Sequence, residues 1–190
     1  MDAIVEAALK KWPNVPHCYG WLALDARGNW YMRDDRIRAA GPFPQLKGSR
    51  IEHDKLLAFI GRNYAADERG CWFFQNGPQR VYVELEAAPW VWRLTETTET
   101  ADKAAGCTLT SHTGRPAVAR SCWLDESGRL FVDSDLGLGL VHSLDMEPAA
   151  DAILRGAWTP QDLPFSEMPA RFGYQLQPQD TEHQVRVIHP

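Results

Sequence analysis

The sequence predicts an α+β fold of two similar ββαββ units, antiparallel sheets each packed on a helix, behind an N-terminal helix. Short apolar/polar alternations recur around Gly-containing turns; in "RVYVELE", Val81, Val83 and Leu85 alternate with Tyr82, Glu84 and Glu86. Two stretches at helical spacing separate pairs of such segments. Trp21, Trp72 and Trp123 are evenly spaced, and Trp21 and Trp123 open comparable hairpins in the two halves.

The elements follow in chain order. "MDAIVEAALKKW" carries Ile4, Val5, Ala8, Leu9 and Trp12 at helical spacing, and Pro13 and Pro16 end that helix. Residues 17–24 and 29–33 read as strands around "DARG", where Gly28 permits the turn. Residues 34–48 are rich in Gly and Pro and read as a loop. Ser49 and Glu52 have capping-box spacing, so a helix is expected from Ser49, with Leu56, Leu57, Phe59 and Ile60 on its apolar side. "CWFF" and "RVYVELE" form a hairpin around "QNGPQ", and "PWVWRL" reads as a further strand of the first unit.

The polar stretch 95–106 separates the halves. "CTLTSH" reads as a short strand, and 119–124 and 129–133 as a hairpin around "DESG". Asp145, Glu147 and Pro148 mark a helix start, with Ala149, Ala152 and Ile153 as its apolar stripe. "RFGYQLQ" and "HQVRVIH" are expected to close the chain as a hairpin. The expected division is a helix over 1–12, a first unit over 13–97, a linker over 98–106 and a second unit over 107–190.

The 190 residues are 44% hydrophobic and 24% charged, which is globular rather than disordered composition. A net charge of −5 without a basic, aromatic-laced cluster argues against a nucleic-acid partner. No apolar run approaches a bilayer span, and the start lacks the basic residues and cleavage site of a signal peptide. A cytoplasmic protein without membrane partners is therefore expected. Cys18, Cys71, Cys107 and Cys122 form no Cys-x-x-Cys pair and read as thiols, with Cys71 and Cys122 packed as small hydrophobes.

From Trp30 to Trp92, "NWYMRD", "SRIEHDKLLAFIGRNY" and "GCWFFQNGPQRVYVELEAAPWVW" resemble a bacterial family of unknown function. That family has a tryptophan hairpin, an Ile-x-x-x-x-Leu helix and a strand of the form V-x-V-E-V-E-D-A-P-F. Ile51, Leu56, Val81, Val83, Glu84, Glu86, Ala88, Pro89 and Trp90 fall on the pattern, while Ala87 replaces its acidic residue. The whole chain also resembles a narrower proteobacterial family without an assigned function. The resemblance implies repeated β-rich motifs and a role in signalling, and it implies no catalytic residues.

Searched for chemistry, the sequence holds no nucleophile elbow, P-loop or zincin motif. "LGLGL" is a lone Gly-x-Gly outside the strand–turn–helix setting that dinucleotides need. Asp133 and Asp135 are too few ligands for a calcium loop. His17, Cys18, Cys71, Cys122 and His142 lack metal-site spacing, so neither metal nor cofactor is expected. The expected ligand site is Lys47, Ser49, Arg50 and His53, where a helix N-terminus beside two cations suits a small anion. Trp90 and Trp92 share one strand face and read as core; exposed, they would form a partner-binding patch. The chain is thus expected to be a non-catalytic regulatory or signalling module that binds a small anion or a protein partner. Two alternatives stay open: a thiol-dependent or hydrolytic enzyme using His53 and Cys71, and a structural module that homodimerises through an edge strand or the tryptophan face.

Overall fold

The computed structural model describes residues 1–96 and 107–180. Among these the fold is α+β, with two sheets of six and seven strands and five α-helices. Two compact units divide the chain, and neither is one continuous stretch. The first holds Met1–Leu24, Trp30–Leu85 and the residues from Gln175; the second holds Asp25–Asn29 and Glu86–Tyr174.

The first unit contains α1 (Ala3–Lys11), β1 (Cys18–Leu24), β2 (Trp30–Met32), α2 (Asp35–Ala40), β3 (Ser49–Arg50), α3 (Asp54–Arg62), β4 (Tyr64–Ala66), β5 (Trp72–Asn76) and β6 (Gln79–Leu85). Its sheet order is β3-β2-β1-β6-β5-β4, with β1 and β6 parallel and every other neighbouring pair antiparallel. The hairpins β1–β2 and β5–β6 lie where the alternation places them. The stretch 34–48, expected as a loop, also carries α2, because Asp34 accepts the Ile37 N–H and caps it. Helix α3 begins at Asp54 rather than Ser49. The short β4 follows it after one residue and was not anticipated, since three residues show no periodicity.

The second unit contains β7 (Trp90–Glu96), β8 (Cys107–Ser111), β9 (Pro116–Ala117), β10 (Ala119–Leu124), β11 (Leu130–Ser134), β12 (Gly137–Val141), α4 (Met146–Leu154), β13 (Gln161–Asp162) and α5 (Met168–Phe172). Its sheet order is β13-β10-β11-β12-β7-β8-β9, and here β7 and β12 are the central parallel pair. Neither sheet follows a ββαββ order. "PWVWRL" pairs with β8 and β12 in the seven-stranded sheet, and "LGLGL" is a strand. "RFGYQLQ" forms no strand: Gly173, at φ 65°, ends α5, and the Tyr174 hydroxyl donates to the Ala87 carbonyl at 2.9 Å. "HQVRVIH" and the expected linker 98–106 lie outside the described residues.

The tryptophan spacing does not mark equivalent positions. Cross-strand register does: Leu24 faces Trp30, Ala66 faces Trp72, and Leu124 faces Leu130, each pair closing on a five-residue turn. The turns are "DARGN", "DERGC" and "DESGR". In each, the first Asp accepts two N–H groups through Oδ1: Arg27 and Asn29 on Asp25, Arg69 and Cys71 on Asp67, Ser127 and Arg129 on Asp125. The fourth residue is a glycine at positive φ, 78°, 74° and 73° in turn. Trp72 therefore answers Trp30, while Trp21 sits opposite the place of Ser121. Trp123 is buried, whereas Trp21 is exposed.

Trp90 and Trp92 organise the second core. They are 1% and 0% exposed, stack with ring centroids 6.1 Å apart, and donate their indole N–H groups to the carbonyls of Leu136 and Val132. Buried indoles need such partners. Gly139 of "LGLGL" makes room for these rings: a Cβ there would lie 2.3 Å from Nε1 of Trp92 and 2.8 Å from Cβ of Trp90. Gly139→Ala is therefore expected to destabilise the protein by about 1–3 kcal/mol through overpacking, read as a lower urea midpoint at unchanged slope. Gly41→Ala is the control, since Gly41 is extended at φ 169° and its Cβ would meet only ordinary contacts at 3.7 Å or more.

Candidate functional site

The four residues expected to bind an anion do not meet at a helix end. Gly48 has φ 96°, and a Cβ there would approach the Met32 carbonyl to 2.5 Å. The chain turns tightly against β2 at that point and enters the sheet. Ser49 and Arg50 then pair with Met32 and Tyr31 as β3, and the Ile51 N–H donates to the Trp30 carbonyl. A residue in a ladder cannot begin a helix, so the Ser49–Glu52 capping box does not form. His53 is the cap instead, its Nδ1 accepting the Leu56 N–H at 3.3 Å. Lys47 lies over the Tyr31 ring at 5.7 Å. Ser49, Arg50 and His53 are exposed, and none of the four lines the cavity below. Trp90 and Trp92 present no outer face, being buried with their N–H groups satisfied.

The two buried thiols, Cys71 and Cys122, are held away from the thiolate form. Burial pushes the Cys71 thiol up, and the Asp67 charge pushes it further; burial likewise raises Cys122. Among the described residues no group of three or more His, Cys, Asp and Glu side chains could hold a metal ion. The Asp135 carboxylate accepts the Val118 N–H at 2.8 Å, a structural use. No helix among the described residues is long and apolar enough to cross a membrane.

Chemistry gathers in the first unit. There a cavity of about 670 Å³ is lined by Pro16, His17, Tyr19, Ala66, Asp67, Glu68, Arg69, Arg80, Tyr82 and Asp180. Parallel pairing of β1 with β6 brings Tyr19 and Tyr82 together, and their rings stack at 4.5 Å and 7°. Tyr82 is buried with Cys71 and Phe73, and the His17 ring meets its edge at 5.8 Å. Arg80 lies over the Phe73 ring at 4.5 Å.

The "DERGC" turn forms the polar wall. Asp67 Oδ1 holds the N–H groups of Arg69 and Cys71 at 3.0 and 2.9 Å. Its Oδ2 accepts the Tyr82 hydroxyl at 3.0 Å and lies 3.4 Å from Arg69 Nε. Burial by itself would raise the Asp67 carboxyl, but these donors outweigh it and hold the group below the usual carboxylate range. Burial pushes the Tyr19 phenol up to about 12 despite the opposing Arg69 guanidinium, so its hydroxyl stays protonated near neutral pH. The hydrogen bond to Tyr19 raises Arg69 in turn, which keeps it cationic. The wall therefore presents the Arg69 cation, the neutral Tyr19 phenol and the anchored Asp67 carboxylate. Sequence reasoning missed Tyr19, Asp67, Arg69, Arg80 and Tyr82. The signal that points to Asp67 and Arg69 is the thrice-repeated Asp-x-x-Gly-x turn.

A depressed carboxyl stabilises the fold above its unfolded pKa of about 3.9, and that stabilisation is lost as pH falls through the lower folded value. Asp67→Asn keeps the turn's shape and loses the charge. It is expected to cost about 1 kcal/mol at pH 7, and the gap to wild type should be smaller at a pH well below the unfolded value of about 3.9. Urea unfolding at both pH values measures this, and a gap independent of pH would contradict the assignment.

Three comparisons with known proteins bear on this chain. No curated protein matches it. A crystal structure of a DUF1285 family protein from Silicibacter pomeroyi superposes with a TM-score of 0.52 at 15% identity, over 80% of this chain and 84% of that one. That likeness shows a shared fold. A second DUF1285 family structure, from Shewanella baltica, gives a TM-score of 0.46 at 12% identity, over 69% of this chain and 91% of that one. The chain belongs to the family DUF2944, described as "Protein of unknown function (DUF2946)", whose model matches residues 1–179.

Proposed function

We propose that this DUF2944 protein is a non-catalytic regulatory module that binds a small anionic ligand in the cavity of its first unit. One observation carries the reading: two guanidinium groups, Arg69 and Arg80, share a cavity wall with a stacked tyrosine pair. The cavity volume falls within the range of small-molecule sites. Arginine presents paired N–H donors that match a carboxylate or phosphate. The raised thiols favour binding over covalent chemistry, since the thiolate is the nucleophile. A signalling role, as the sequence resemblance implies, fits a protein whose output is occupancy rather than turnover. The site differs from the one expected at Lys47 to His53, while the ligand class is the same.

Titration of the ¹⁵N-labelled protein with sodium acetate and with inorganic phosphate, at constant ionic strength, tests the reading. Saturable shifts are expected for at least one anion at residues 17–19, 66–69 and 80–82. Arg69→Ala and Arg80→Ala should each weaken binding about tenfold, near 1.4 kcal/mol. No saturable shift with either anion, or unchanged affinity in the double variant, would overturn the proposal.

A further inference from the structure

The three Asp turns provide an internal control. In two of them the second carboxylate oxygen is engaged by the fifth turn residue: Asn29 Nδ2 reaches Asp25 Oδ2 at 3.1 Å, and Arg129 Nε reaches Asp125 Oδ2 at 2.6 Å. In the third the fifth residue is Cys71, which is buried and packed with Phe73 and Tyr82. Asp67 Oδ2 instead takes the hydroxyl of Tyr82 from β6 and the guanidinium of Arg69. This turn therefore draws a donor from across the sheet, the Tyr82 hydroxyl of β6, in addition to its own Arg69. Its carboxylate orients a phenol and a cation that both line the cavity.

The wall's composition restricts what it can accept. Tyr82 backs Tyr19 on one side, so the half-buried Tyr19 ring is the aromatic surface that a ligand meets. Arg69 and Arg80 supply two positive charges, and Asp67, Glu68 and Asp180 supply three carboxyl groups. A polyanion would meet those carboxylates at close range and be repelled. A single carboxylate on a flat ring meets the guanidiniums of Arg69 and Arg80 and a stacking partner with less of that repulsion, because it carries one charge. Resting on the binding role proposed above, we infer that the ligand is an aromatic monocarboxylate, with its ring on Tyr19 and its carboxylate at Arg69 and Arg80, and that Asp67 is a positioning residue.

Calorimetric and NMR titrations of the intact protein with benzoate, acetate, benzyl alcohol and inorganic phosphate test the ligand class. Benzoate is expected to bind at least tenfold more tightly than acetate, phosphate or benzyl alcohol, with shifts at residues 17–19, 66–69 and 80–82. Tyr19→Leu should abolish the advantage of benzoate over acetate, and Tyr19→Phe, which keeps the ring, should retain most of it. Asp67→Asn should weaken benzoate while its turn amide shifts stay in place. If acetate or phosphate binds and benzoate gains nothing, or if Tyr19→Leu leaves the benzoate advantage intact, the ligand class is wrong and the binding role stands. Should no probe bind at these residues, the binding role itself falls.

Discussion

A hairpin turn strips strand partners from several main-chain N–H groups, and a carboxylate at its first position satisfies them. Asp25, Asp67 and Asp125 do this at three places, each taking the N–H groups two and four residues ahead. Asp25 and Asp125 are buried, so their loss would leave donors and acceptors without water to replace them. These turns close β1 on β2, β4 on β5 and β10 on β11. Strands of both sheets, and one wall of the cavity, are thereby set in register by the same short-range electrostatics.

Local features were legible in the sequence, and pairings between distant segments were not. The hairpins β1–β2, β5–β6 and β10–β11 were readable because alternation and a turn glycine lie within a dozen residues. The parallel pairs β1–β6 and β7–β12 join segments far apart in the chain, and nothing local encodes them. Strand β7 was therefore assigned to the sheet before it in sequence, while the structure pairs it with β8 and β12. The family-like stretch at residues 81–90 also has a structural explanation. Glu84 forms an ion pair with the buried Arg33, Glu86 accepts the Ala26 N–H, and the Ala87 carbonyl accepts the Tyr174 hydroxyl. Its two charges serve the buried Arg33 and a turn N–H, so the motif carries fold information.

The same division explains the site. Ser49 and Glu52 have the spacing of a cap, yet a β2 edge nearby offered the backbone a ladder, and tertiary pairing overrode the local preference. The basic residues expected around that cap dispersed over a strand and a turn. The cavity instead joins Tyr19 of β1, Tyr82 of β6 and the turn after β4, three segments that only the sheet order β1-β6-β5-β4 brings together. The edge strands β3, β9 and β13 are two residues long and β4 three, which leaves little ladder for a second chain to extend.

What distinguishes the third turn is one side chain. Asn29 and Arg129 can reach back to the carboxylate that starts their turns, and a cysteine cannot supply a comparable donor. With Cys71 buried beneath Tyr82, the demand of Asp67 Oδ2 for donors is met from across the sheet. A device that closes a hairpin at three places here also fixes the hydroxyl of a cavity tyrosine and the direction of a cavity arginine. Because that carboxylate already accepts from five donor atoms, it has little capacity left to capture a ligand cation. Its electrostatic effect is spent on orienting Tyr82 and Arg69, which makes the wall a preorganised surface for a ligand of the opposite sign.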